Sequence, residues 1–201
     1  MWTEQVAFMN NTAQNVLNAT IKLRLRYPFA ILGFHTDGGT EFINHELYEY
    51  LSDPKTYALQ THGRPYKKND QARVEQRNWT VIRQLFGYER IAHQILVDKM
   101  NDIYENEWRL LNNFFTATRQ QVSKVRVGAK FKRTFDKPKT PYERVLEQKQ
   151  ISDFEKVKLK KQYDSLNPFE LKKSLERKLR EFEKLAKELA QLADQVDKEA
   201  A

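Results

Sequence analysis

Two acidic residues stand where a carboxylate could do chemistry. Asp37 closes the turn that follows a compact apolar run at 29–34, within His35-Thr36-Asp37-Gly38-Gly39. Glu75 comes 38 positions later, beyond a strand-like stretch and a basic loop. It shares a helical face with Trp79, Ile82 and Phe86, at offsets 0, 4, 7 and 11. A carboxylate on or beside an inward stripe costs free energy unless it is paired or holds a cation. In an α/β layer, strand ends and neighbouring helices meet at one edge, where carboxylates can hold Mg²⁺. Two such ions can activate a water or a 3′-hydroxyl and stabilise the leaving oxygen of a phosphodiester. The plainer reading of Glu75 is an ion pair with a nearby arginine.

The elements that must position these residues follow from periodicity and punctuation. Residues 2–9 read as a strand. Asn10-Asn11-Thr12 supply N-cap residues for a helix over 13–26, which Tyr27-Pro28 ends. Residues 29–34 read as a buried strand. Asn44 caps a short helix to residue 51, 57–61 form another strand, and His62-Gly63-Arg64-Pro65 breaks it. Helices follow over 70–86 and 91–115, the second carrying Ile95, Met100, Ile103, Leu110, Leu111 and Phe114. Thr140-Pro141 starts further helical stretches at 142–146 and 152–163. Asn167-Pro168 opens a last helix whose apolar residues, from Leu171 to Val196, are spaced three or four apart. Such a stripe needs a partner, in its own chain or in a second copy.

Charge is unevenly distributed. The 201-residue chain carries 35 basic and 27 acidic residues, a net +8. Residues 1–100 account for only +2, whereas 119–139 alone holds +7. There Lys124, Arg126, Lys130, Lys132 and Arg133 interleave with Val122, Val125, Val127, Phe131 and Phe135. That pattern suits a polyanion, and a solvated basic loop is the competing reading. The chain has no cysteine, which excludes disulfides, thiolate metal sites and cysteine catalysis. No apolar run reaches the roughly 18 residues of a membrane span, and the N-terminus lacks a secretory pattern. The expected setting is the cytoplasm, at the nucleoid.

Residues 34–44, Phe-His-Thr-Asp-Gly-Gly-Thr-Glu-Phe-Ile-Asn, resemble the segment around the second catalytic aspartate of the DDE integrase and transposase family. Residues 64–76, Arg-Pro-Tyr-Lys-Lys-Asn-Asp-Gln-Ala-Arg-Val-Glu-Gln, resemble the segment leading to its catalytic glutamate. Arg126-Val127-Gly128, the stretch 140–146 and the stretch 163–168 are similar to the C-terminal part of insertion-sequence transposases. The resemblance implies an RNase H-like α/β fold in which three carboxylates hold two Mg²⁺ (or Mn²⁺) ions, and an enzyme that cuts DNA and joins transposon ends to a target. Asp37 would be the second carboxylate and Glu75 the third. Lys67 and Lys68 would contact DNA near the scissile phosphate, while Asp70 suits a helix cap.

The chain departs from that pattern at its first carboxylate. Residues 1–36 contain no aspartate, and Glu4 is their one acidic residue. Residues 2–9 are similar to the family's third strand. Gly38 stands where the family commonly has asparagine. The expectation is therefore an incomplete RNase H-like core over 1–118, lacking its first two strands, a basic linker at 119–141, and a helical extension at 142–201. Such a chain would be a truncated, inactive copy of a transposase, or a DNA-binding or oligomerising remnant of one. Its partners would be DNA and a second copy or a full-length transposase, with no membrane.

Overall fold

A computed structural model of the chain describes residues 1–36, 39–64, 79–88 and 91–199. The protein is mixed α/β, with helix predominating. Helix α1 (Ala13–Arg24) begins where the Thr12 side chain accepts from the Asn15 amide, and ends with Lys22 and Arg24 in its last turn. Both features suit the helix dipole. Strand β1 (Gly33–Thr36) follows, then a 3₁₀ turn (Thr40–Phe42), helix α2 (His45–Ser52) and strand β2 (Leu59–His62). The Asn44 side chain caps α2 by accepting from the Leu47 amide at 2.8 Å. Leu47 and Leu51, four apart on one face, are buried with Val16 of α1 and Ala58. The two strands are parallel and in register from Gly33↔Leu59 to Thr36↔His62. A parallel pair needs a crossover, and α2 provides it, packed beside α1.

A π-helical turn (Trp79–Arg83) runs into the short helix α3 (Gln84–Phe86). Helix α4 (Gln94–Ile103) continues through two π-helical stretches, Tyr104–Trp108 and Leu111–Phe115. A π turn closes on i→i+5, so an apolar pattern spaced for 3.6 residues no longer keeps one face. One expectation gives way here: Trp79 and Ile82 are exposed, and Val81 takes the buried place. In the regular α-helix Gln94–Ile103, Ile95 is half exposed because the inward face is Leu96, Val97, Met100 and Ile103.

Helices α5 (Pro141–Leu146), α6 (Asp153–Asp164) and α7 (Pro168–Glu199) complete the chain. A capping box starts α5: Thr140 Oγ1 accepts from the Glu143 amide, and Glu143 accepts from the Thr140 amide. The apolar stripe of α7 finds its partner within the chain. Leu175 and Phe182 are buried with Met100, Ile103 and Tyr104, and Leu179, Leu185 and Leu189 pack around them. Lys178 fixes the docking by bridging Asp102 at 2.5 Å and Glu107 at 2.9 Å. A second apolar cluster joins Trp2, Phe114, Tyr142, Val145 and Leu159. Trp2 meets Phe114 edge-on, and Tyr142 stacks on Tyr163 at 4.8 Å.

The leading segment differs from the strand expected at 2–9. It makes no strand pairing, and its backbone is held by side chains. Asn113 accepts from the Thr3 amide and donates to the Thr3 carbonyl, both at 2.8 Å. Asn101 does the same for Ala7, at 2.8 and 3.0 Å. Each carboxamide thus supplies the donor and the acceptor that a neighbouring strand would have offered.

Candidate functional site

Two regions carry the residues singled out from the sequence. The first is the carboxyl edge of the β1–β2 pair. Thr36 is buried, and its Oγ1 lies 2.8 Å from His62 Nδ1 on the partner strand. His35 Nδ1 lies 2.9 Å from Thr61 Oγ1. The Gly63 amide donates to the Thr36 carbonyl at 2.8 Å, closing the ladder. These cross-strand bonds tie both strand ends together at the point where β1 leads to residue 37 and β2 to residue 64. Asp37, Lys67, Lys68 and Glu75 themselves lie outside the described residues.

Two carboxylates among the described residues, Glu41 and Glu4, have other duties. Glu41 accepts from the Asn11 side chain at 2.6 Å and lies against Gly39, where a Cβ would meet it at 2.7 Å. Glu4, the one acidic residue among the first 36, is buried. Its carboxylate accepts from Trp2 Nε1 at 2.8 Å and lies 3.1 Å from Arg109 Nε. Burial raises its pKa above the usual carboxylate range, against the lowering pull of Arg109. A carboxylate committed to an arginine in the core is no ligand for a hydrated Mg²⁺ ion. Among the described residues there is no group of three or more histidine or acidic side chains able to hold a metal.

The second region is the basic segment. Residues 119–141, expected as a linker, contain an antiparallel hairpin, β3 (Gln121–Val127) and β4 (Lys130–Phe135). The connection is Gly128-Ala129, with Gly128 at φ +62°. A glycine at positive φ in the first central position suits a type II′ connection. The hairpin gathers all five cations assigned to it from sequence. Lys124 pairs with Arg133 and Arg126 with Phe131, so these four share one face. Lys132 pairs with Val125 and Lys130 with Val127 on the other. Lys124 Nζ sits 4.4 Å from the centre of the Phe131 ring, a cation–π contact. Every residue of both strands except Ser123 is exposed.

Sequence reasoning missed what holds this hairpin at its root. Asp136 accepts from the Gln120 amide at 2.7 Å and from Arg144 Nη1 at 2.6 Å. Arg144 Nη2 donates to the Thr118 carbonyl at 2.7 Å, and Thr118 bridges to Lys139. The Arg144 bond holds the Asp136 carboxyl below its ordinary pKa, with the Gln120 amide adding to it. The signal for the hairpin was present in the alternation Lys124-Val125-Arg126-Val127 before Gly128. The clamp spans 26 positions, from Thr118 to Arg144, and has no local signature.

No family model matches the chain. A protein of Sinorhizobium fredii (strain NBRC 101917 / NGR234), described as uncharacterized protein y4rM, is 30% identical to it over 144 residues. That alignment covers 71% of this chain and 40% of the relative, so the chain spans about two fifths of that protein's length. Among the described residues, no helix is long and apolar enough to cross a membrane.

Proposed function

We propose that this chain is part of a DDE-type transposase or integrase, comprising a portion of an RNase H-like catalytic core and a DNA-binding hairpin. The observation that carries the reading is the parallel β1–α2–β2 unit. Parallel strands bring their carboxyl ends to one edge, and open α/β sheets bind their ligands outside that edge. The two family-like motifs meet that edge, one running through Thr36 at the end of β1 and the other opening at Arg64 just after β2. Asp37 and Glu75 are then the second and third metal-binding carboxylates, and Lys67 and Lys68 contact the DNA backbone. Mg²⁺ or Mn²⁺ bound there would activate the attacking oxygen and stabilise the leaving one. The 201 residues hold two of the three carboxylates that this chemistry uses, since Glu4 is committed to Arg109. By itself this polypeptide is a DNA-binding protein at the nucleoid without strand-transfer activity.

Incubating the polypeptide with end-labelled duplex DNA and Mg²⁺ or Mn²⁺ tests this. The expected result is salt-sensitive binding without nicking. Nicking that Asp37→Ala and Glu75→Ala abolish would overturn the inactive assignment. Failure to bind DNA at about 50 mM salt would overturn the reading as a whole, since phosphate contacts are strongest there. A non-catalytic DNA-binding remnant is the second reading, favoured by the hairpin, whose cations stand apart from both carboxylates in sequence.

A further inference from the structure

We propose that the β3–β4 hairpin enters the major groove of double-stranded DNA as a ribbon with both faces engaged. The inference rests on the reading of DNA as this protein's partner, and it specifies the mode of binding.

The first argument is the distribution of charge over the two faces. A basic sheet that lies on a phosphate surface needs cations on one face only. Here Lys124, Arg126 and Arg133 occupy one face, and Lys130 and Lys132 the other. Neither face is covered, since all twelve strand residues other than Ser123 are exposed. A ribbon cationic on both sides fits a slot with two anionic walls. The major groove is such a slot: its width of about 12 Å admits a two-stranded ribbon, and phosphates line both rims. The minor groove, about 6 Å wide, does not.

The second argument is the apolar content. Val125, Val127 and Phe131 remain more than half exposed among these cations. Exposed valines and phenylalanines are poor choices for a solvated loop. In the major groove, the thymine methyl groups give them apolar contacts.

The third argument is the root. An isolated two-stranded hairpin is marginally stable in water. The Asp136–Arg144–Thr118 clamp fixes its base to α5 and lets the tip stand out in solvent. Asp136 is thus a positioning residue, the one acidic group in a segment of eight cations. A purely electrostatic surface would bind DNA better without it. A ribbon that must be aimed into a groove would bind worse.

The test measures fluorescence anisotropy with the full chain and a labelled 30-base-pair duplex of mixed sequence. Three variants are compared: K124Q/R126Q/R133Q on one face, K130Q/K132Q on the other, and D136N at the root. Circular dichroism melting checks folding, which exposed positions should leave intact. The wild type should lose roughly 10²–10³-fold in affinity between 50 and 200 mM salt, as about five phosphate contacts require. Each face variant should flatten the salt slope by roughly the number of cations removed. D136N should bind at least several-fold more weakly despite losing a negative charge. A duplex whose cytosines carry glucosylated hydroxymethyl groups, which fill the major groove and spare the phosphates, should bind at least about tenfold more weakly. The inference fails if one face variant behaves as wild type, if D136N binds more tightly, or if the glucosylated duplex binds equally well. In those cases DNA remains the partner and only the groove mode is lost. Absence of any binding at 50 mM salt overturns both this inference and the reading on which it rests.

Discussion

The described residues form two two-stranded sheets that solve the same problem in opposite ways. The parallel pair β1–β2 has four residues per strand and takes its stability from behind, where Leu47 and Leu51 of α2 pack with Val16 and Ala58. The antiparallel pair β3–β4 is longer, has no apolar backing and is held at its base by one aspartate and one arginine. The first sheet is scaffolding, backed on one side by a packed helix, for an edge where chemistry can sit. The second is a projection whose side chains are free to meet a partner. Apolar burial tolerates no exchange of partner, whereas a clamp of a few polar bonds leaves both faces of its strand pair available.

The comparison breaks most visibly at Leu47, which is fully buried. Leu47→Ala should cost about 2–5 kcal/mol in urea denaturation, as core leucine truncations do. Hydrogen exchange should show β1 and β2 opening, with the β3–β4 amides keeping their protection. Equal loss in both sheets would mean that they unfold as one unit and that the contrast is false. Asn113→Ala comes next, at about 1–3 kcal/mol, because it strands the part-buried Thr3 amide and carbonyl. It should free the leading segment, read as faster exchange at Thr3, without altering DNA affinity.

Smaller effects sharpen the contrast at the hairpin. Gly128→Ala places a Cβ at positive φ, where a side chain costs about 1–2 kcal/mol. No neighbouring atom lies in its way, so the penalty is one of backbone alone and should fall on the hairpin amides. The two carboxylate–arginine pairs should respond to pH with opposite sign. Arg144 lowers the Asp136 pKa, so the clamp contributes fully above about pH 4 and is lost as the pH falls through the depressed value. Burial raises the Glu4 pKa, so its contribution diminishes as the pH rises from about 4.3 towards the raised value. Exchange at the Gln120 amide should report the first, and the indole resonance of Trp2 the second.

Features set by nearest neighbours were legible in the sequence. Thr12, Asn44, Thr140 and Asn167 cap the helices at which their types placed them. The two strands at 29–34 and 57–61 were found with a shift, because their ends are set by pairing rather than by the apolar run. The inward stripe through Trp79 and Ile82 was misread, since its spacing assumes a 3.6-residue turn and the backbone there is π-helical. Residues 2–9 were read as a strand from their apolar content. Their hydrogen-bond partners are amides about a hundred positions away, which no local pattern announces. At the candidate site, the five hairpin cations could be listed from charge alone. Their division between two faces required the register.

The clasp on the leading segment distributes mutational freedom unequally. Asn101 and Asn113 grip main-chain groups, so they are blind to which side chains occupy positions 3 and 7. Any residue there keeps both bonds except proline, which has no amide hydrogen to give. The two asparagines have no such latitude. Aspartate offers no donor, leucine offers neither group, and glutamine carries the same amide one carbon too far. One strand of this pairing is therefore open to drift in sequence while its counterpart is fixed letter by letter, an asymmetry that two true strands would not show.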